Sequence, residues 1–241
     1  MSMPKPRYTR LARRVKEGDF TMRDIIASAK ERADLFDVRN IVVSTNTGST
    51  ANRVLEVFGS DYNIYAVGNP SSSHDRGLVR HAGISEKTKK DLESKGIKVI
   101  LRDQSLFQAM DFGGQGFPMG DRELFFKGCF HGAPFDQVVE KSNPDNEFNA
   151  VAIVYNTLCL FSTARVCIEV ALMAADSDRL PLNADCISIA RPSWTRELPA
   201  AAVVLRPAKT QDLFKRELRV KDIILVPQSE DRWFKNHPVF W

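Results

Sequence analysis

Hydrophobic and polar positions along the chain change repeatedly between a helical and an extended spacing. Helical spacing, with apolar residues three and four positions apart, covers residues 21–36, 51–58, 85–95, 148–159 and 163–177. Short apolar runs of the kind found in buried strands occupy residues 41–43, 63–67, 98–101, 186–190, 201–205 and 223–226. Because strands alternate with helices, the pattern predicts βαβ units, a mainly parallel sheet and an α/β fold.

Two of the predicted helices carry clear end signals. Thr21 precedes the first helix and Asp24 follows three residues later, as in a capping box. Ser85 is the expected N-cap of the third helix, and Gly96 is expected to close it. These signals place the first and third helices independently of their apolar stripes.

Composition indicates an ordinary globular protein. Of 241 residues, 43% are hydrophobic and 27% are charged, and no apolar run reaches the roughly 18–20 residues of a membrane span. The chain is long enough to bury a core without disulfide or metal support. Its four cysteines are scattered, which suits a reduced compartment: Cys129, Cys159, Cys167 and Cys186. We therefore expect a cytoplasmic protein that does not associate with membranes.

Positive charge is concentrated at the start of the chain. The formal net charge is +4, and the first 16 residues contain six basic residues and no acidic one: Lys5, Arg7, Arg10, Arg13, Arg14 and Lys16. The remainder is close to neutral, whereas a nucleic-acid-binding domain normally has basic residues on its body as well. A nucleic-acid partner is therefore not expected. The basic segment is open to three interpretations: a nucleic-acid contact, a transit segment, or, most simply, a solvated helix.

Three segments define the predicted organisation. Residues 1–18 form a basic N-terminal arm, residues 19–227 a single α/β domain, and residues 228–241 an aromatic C-terminal tail. Within the domain, residues 112–148 contain seven of the fifteen phenylalanines together with several glycines, so we interpret them as an ordered insertion. The insertion is expected to pack on the domain or on a neighbouring subunit, and a homo-oligomer is expected.

The strongest local signal follows the first predicted strand. A strand, a glycine-containing turn and a helix are expected to direct backbone N–H groups and the positive end of the helix dipole at one point, which favours an anion. The candidate ligand-binding residues of this turn, called turn 44–50 below, are Ser44, Thr45, Asn46, Thr47, Gly48, Ser49 and Thr50. The turn matches neither a Walker A motif nor a Rossmann fingerprint. Capping of the helix alone would also explain its serines and threonines.

Longer stretches resemble a known family. "IVVSTNTGSTANRVLEVF" resembles the first strand, turn and helix of the pyruvate kinase C-terminal domain, and more closely those of stand-alone archaeal proteins built only of that domain. "ARVCIEVALMAADSDRLPLNADCISIA", "AAAVVLRPA" and "DIILVP" resemble its later helix and strands. The resemblance implies a three-layer α/β/α sandwich with a mainly parallel five-stranded sheet. The kinase's catalytic barrel has no counterpart here, so pyruvate kinase activity is not expected.

The resemblance also implies a ligand site. In pyruvate kinases the matching first turn holds a phosphate of a sugar-bisphosphate activator, and a second loop closes over it. The residues carried over from that loop are Arg191, Ser193, Trp194, Thr195 and Arg196. The stand-alone relatives are associated with FMN, which would be the cofactor here. The second loop departs from the family because it contains no glycine; Trp194 could stack on a ring or fill the space of a flavin.

Other candidates have simpler explanations. Glu169 and Asp176 share a helix face and could form a catalytic carboxylate pair, but salt bridges with Arg165 or Arg179, or helix capping, also explain them. Cys167 is expected in the core rather than as a nucleophile. His74 follows the second predicted strand and could reach the ligand, although a solvated loop histidine is the simpler interpretation. Cys129 and His131 are only two possible metal ligands, whereas a structural zinc needs about four, so no metal is expected.

The turn and the family resemblance together favour non-catalytic binding of a phosphorylated small molecule by a sensor or carrier, and the resemblance implies FMN or a sugar phosphate as that molecule. An alternative is an enzyme that depends on a flavin or phosphate ligand, with the phenylalanine-rich insertion as a lid. A third is a nucleic-acid-associated protein that works through its basic arm.

Overall fold

A computed structural model describes residues 15–16, 21–72, 83–102, 164–190, 201–210, 212, 217–225 and 227–228. The described helices are α1 (Met22–Phe36), α2 (Ser49–Phe58), α3 (Glu86–Ser94) and α4 (Ala164–Asp176). The described strands of the main sheet are β1 (Asn40–Ser44), β2 (Asn63–Gly68), β3 (Lys98–Leu101), β4 (Cys186–Ala190), β5 (Ala201–Arg206) and β6 (Arg219–Leu225). The predicted helix over 148–159 and the insertion over 112–148 lie outside the described residues.

The strands form one six-stranded sheet in the order β3-β2-β1-β4-β5-β6. The first four strands are parallel, whereas β5 is antiparallel to both β4 and β6. The sheet is therefore mainly parallel, as predicted, but it has six strands rather than five. The carboxyl ends of β1, β2, β3 and β4 all lie at one edge, called the carboxyl edge below, where open α/β sheets usually bind ligands.

Helices cover both faces of the sheet, which confirms the α/β/α sandwich. One buried cluster joins α1, α2 and Leu92 of α3 to alternate strand residues such as Ile41 and Val43. The other cluster joins α4 to the intervening strand residues, which point to the opposite face of the sheet and include Val42 and Val203. This alternation follows from the strand period of two, which points neighbouring side chains to opposite faces.

Capping explains where α1 begins. The Thr21 hydroxyl oxygen accepts a hydrogen bond from the Asp24 N–H, and the Asp24 carboxylate accepts one from the Thr21 N–H at 2.8 Å. The predicted capping box is therefore present. Downstream of it, Ile25, Ile26 and Ala29 are buried against the sheet.

Two predicted element starts are wrong by two residues or more. Helix α2 begins at Ser49 rather than residue 51, because Gly48 has a φ of +81° and forms the N-cap there. Strand β6 begins at Arg219 rather than residue 223, because charged residues can occupy the exposed positions of an edge strand.

A short parallel ladder lies outside the main sheet. Val15–Lys16, from the predicted basic arm, pairs with Pro227–Gln228 at the end of the predicted domain. In the part of the chain that the structure describes, no helix combines the length and apolar character needed to cross a membrane.

Candidate anion-binding site

Turn 44–50 lies at the carboxyl edge of the sheet. Strand β1 ends at Ser44, which is in register with Val67 of β2, and the Thr45 N–H extends the ladder by donating to the Val67 carbonyl at 2.9 Å. On the other side, Val43 is in register with Ile189, so β4 ends at Ala190 beside Ser44. The turn therefore begins in the centre of the sheet, between two parallel strands.

Thr45 and Gly48 give the turn its shape. The Thr45 side chain is buried, and its hydroxyl oxygen accepts a hydrogen bond from the Gly48 N–H at 3.0 Å. Gly48 has a left-handed φ of +81°, which glycine adopts without the steric cost of a β-carbon. These two residues turn the chain from the strand into the helix, and the Gly48 N–H is used inside the turn.

The first N–H groups of α2 have no acceptor among the described residues. Asn52 donates the first regular helical bond, to the Gly48 carbonyl at 3.0 Å, and no side chain caps the helix. The N–H groups of Ser49, Thr50 and Ala51 precede that bond. By contrast, Thr21 caps α1 and Ser85 caps α3, where the Ser85 hydroxyl accepts from the Thr88 N–H at 3.1 Å.

Polar side chains surround this helix end. Thr47 and Ser49 are exposed, while Asn46 and Thr50 are partly buried. The Thr47 hydroxyl donates to the Ser49 hydroxyl oxygen at 3.3 Å. These four residues are at least partly accessible to solvent, whereas Thr45 is buried.

Helix α3 bounds the turn on one side. A β-carbon on Gly48 would lie 2.8 Å from the Thr88 methyl carbon and 3.4 Å from a Leu92 methyl carbon. Helices α2 and α3 therefore begin side by side at the carboxyl edge, with Gly48 at their contact.

The second predicted loop lies outside the described residues. Arg191, Ser193, Trp194, Thr195 and Arg196 follow directly after Ala190, the last residue of β4. Since β4 ends beside β1, the described residue Ala190 lies next to the start of turn 44–50, and contacts between the loop and the turn stay a prediction.

The acidic residues of α4 form structural contacts rather than a carboxylate pair. Glu169 forms a salt bridge with Arg165 at 3.1 Å, which is one of the explanations expected for it. Asp176 accepts hydrogen bonds from the Thr210 N–H at 2.8 Å and its hydroxyl at 2.7 Å. Arg179, the alternative partner, instead donates to the Val99 carbonyl at 2.9 Å.

Cys167 is a core residue, as predicted. Burial raises the pKa of its thiol to about 12, and the thiol contacts the Ala201 carbonyl at 3.3 Å. A thiol with so high a pKa carries little thiolate near neutral pH, which argues against a nucleophile. His74, Cys129 and His131 lie outside the described residues. Among the residues that are described, no cluster of three potential metal ligands occurs.

One feature at the opposite, amino edge of the sheet was not predicted. A cavity of about 480 Å³ lies there, lined by residues that include Arg206 and Arg219. The cavity depends on the register between β5 and β6, which brings together residues 13 positions apart. The basic residues in this part of the chain were the only sequence signal for it.

The chain matches no family model. Among solved structures it is similar to Cryptosporidium parvum pyruvate kinase in complex with ADP, with 14% sequence identity and a TM-score of 0.31. The similarity covers 79% of this chain and 24% of that one, so the chain spans about a quarter of the enzyme's length. The α/β architecture itself rests on the strands and helices described above.

Proposed function

We propose that this protein binds a phosphorylated small molecule, FMN or a sugar phosphate, at turn 44–50 and serves as a non-catalytic sensor or carrier. The observation that carries the proposal is the uncapped start of α2 at the carboxyl edge. The N–H groups of Ser49, Thr50 and Ala51 find no acceptor among the described residues. Such N–H groups, together with the helix dipole, form a favourable site for a phosphate.

The surrounding residues support phosphate rather than a bulky apolar ligand at this point. Hydroxyl and amide side chains on the exposed side of the turn can donate further hydrogen bonds to phosphate oxygens. Of the described residues that touch Gly48 from α3, Thr88 and Leu92, neither is an acid, a base or an activated nucleophile. The site as described suits binding, and the resemblance noted for the sequence suggests the same ligand class.

Replacing Ser49 with aspartate tests the proposal because it is expected to preserve or raise the stability of the fold while lowering the affinity for a phosphate. The new carboxylate lies in the first turn of α2, where it should leave stability unchanged or raise it by about 0.3–1 kcal/mol. The same charge should repel a phosphate, so we expect at least a tenfold loss of affinity for FMN or a sugar bisphosphate. Thermal unfolding and isothermal titration calorimetry measure the two effects separately.

Ser49→Asn is the matched control. Asparagine has nearly the same size as aspartate but no charge, so this variant should keep most of the affinity. For wild type, a ligand at 100 times its dissociation constant should add about 2.7 kcal/mol of stability. The proposal is wrong if FMN, sugar bisphosphates and inorganic phosphate all fail to stabilise the wild-type protein, or if Ser49→Asp binds as well as Ser49→Asn.

A further inference from the structure

The cavity at the amino edge is lined mainly by charged residues. It has a volume of about 480 Å³, within the range that small-molecule ligands occupy. Its wall contains four basic residues and two acidic residues: Arg206, Lys209, Arg219, Lys221, Asp212 and Glu217. The end of β5, the start of β6 and the chain following β5 contribute these residues.

Strand pairing brings two of the arginines together. Arg206 and Arg219 are register partners in the antiparallel ladder between β5 and β6. Like charges directly opposite each other destabilise a strand pair, so the arrangement requires a compensating negative charge.

Asp185 provides part of this compensation. Its carboxylate accepts a hydrogen bond from Arg206 at 2.6 Å and another from Lys221 at 2.6 Å. Burial alone would raise the pKa of Asp185, but these two hydrogen bonds hold it below its usual range. One carboxylate therefore pairs with two of the basic side chains that line the cavity.

The remaining two basic side chains are less compensated. Lys209 forms a salt bridge with Asp178 at 2.6 Å, but the Asp178 side chain is 75% exposed, and water weakens such a pair. Arg219 is exposed, and none of the described acidic residues lies within salt-bridge distance of it. Four of the described lining residues are basic and two are acidic. Asp178 and Asp185, which pair with three of these basic side chains, are not among the described lining residues.

We propose that this cavity is a second binding site, which takes a small multivalent anion such as an organic phosphate or a polycarboxylate. Arg219 binds the anion with its guanidinium group, whose fork of N–H donors matches two oxygens of a carboxylate or phosphate, and Lys209 adds a point charge. The site lies at the edge of the sheet opposite turn 44–50. It is therefore independent of the binding proposed there.

Calorimetric titration with pyrophosphate at low ionic strength tests this site, and Ser49→Asp is used as the background because it blocks turn 44–50. We expect one remaining binding event in Ser49→Asp. Adding Arg219→Gln should weaken it about tenfold or more, as expected for loss of a charged hydrogen bond. Adding Lys90→Gln, which removes the same charge from an exposed position on α3, should weaken it less than twofold.

Two further arms complete the test. Arg219→Lys keeps the charge and should weaken binding less than Arg219→Gln, which separates a binding effect from a folding defect. Citrate in place of pyrophosphate shows whether the site prefers carboxylates or phosphates. The proposal for the cavity is overturned if Ser49→Asp binds neither anion, or if Lys90→Gln weakens binding as much as Arg219→Gln. Failure of the site at turn 44–50 would instead appear as identical titrations of wild type and Ser49→Asp.

Discussion

Replacing Gly68 with alanine is expected to lower the free energy of unfolding by about 3 kcal/mol or more, near the upper end of the usual cost of overpacking. Gly68 is the last residue of β2. A β-carbon there would overlap the Thr45 carbonyl oxygen and lie 2.8 Å from the Ile84 Cδ1 atom. The Thr45 carbonyl is a backbone group and cannot rotate away as a side chain can, so β1 and β2 would have to separate.

Thr45 is held in place from both directions. Its N–H donates to the Val67 carbonyl at 2.9 Å, and its hydroxyl oxygen holds the Gly48 N–H at 3.0 Å. Any movement that relieves the clash at Gly68 would therefore also distort turn 44–50. We expect Gly68→Ala to lose ligand binding at the turn even under conditions where most of the protein remains folded.

Gly96→Ala is the control for this prediction. Gly96 has a left-handed φ of +81°, but a β-carbon added to it would have no described atom of another segment within 4 Å. Its replacement should cost only the strain of a left-handed residue, about 1–2 kcal/mol. Urea denaturation followed by circular dichroism measures both variants, and equal losses would contradict a steric role for Gly68.

Local signals in the sequence were sufficient for most of the described elements. Thr21 and Asp24 predicted the start of α1 because a capping box is encoded within four residues. The β-branched run at Ile41 predicted a buried strand because a strand buried on both faces is apolar throughout. Ser85 likewise predicted the N-cap of α3. Each of these signals is read within a few residues of the element it defines.

Features that depend on pairing between distant segments were harder to predict. The start of β6 contains Arg219, Lys221 and Asp222, which give no apolar run, and only its pairing with β5 defines it as a strand. In turn 44–50 the sequence predicted the polar residues, but not which of them shape the turn and which are exposed to solvent. The burial of Thr45 and its bond to Gly48 become visible only when the turn is folded.

Replacing Arg165 with leucine is expected to destabilise the protein by about 3–5 kcal/mol at pH 7.5, because it leaves a charge buried without its partner. The side chains of Arg165 and Glu169 are only 10% and 14% exposed and form a salt bridge at 3.1 Å. Burial raises the pKa of Glu169, and Arg165 opposes that rise. Without the guanidinium group, Glu169 must either remain charged in a poorly solvated place or take up a proton.

The pH dependence of the loss follows from the direction of this shift. A carboxyl whose pKa is higher in the folded state binds more protons there than in the unfolded chain, so stability falls as pH rises between the two pKa values. Removing Arg165 raises the folded-state pKa of Glu169 further and widens that range. The stability lost relative to wild type should therefore be smaller at pH 5 than at pH 7.5.

Urea denaturation at the two pH values measures this prediction, and two controls make it specific. The double variant Arg165→Leu with Glu169→Leu should recover much of the loss, because a well-packed apolar pair can replace a buried ion pair at little cost. Asp91→Asn breaks the salt bridge between Asp91 and Lys95 at the end of α3, which has the same four-residue spacing as the pair of Arg165 and Glu169. Both of its side chains are 40% exposed or more, so this variant should cost less than about 1 kcal/mol. A loss for Arg165→Leu as small as that of Asp91→Asn, or one unchanged between pH 5 and 7.5, would show that Glu169 reaches water without its partner.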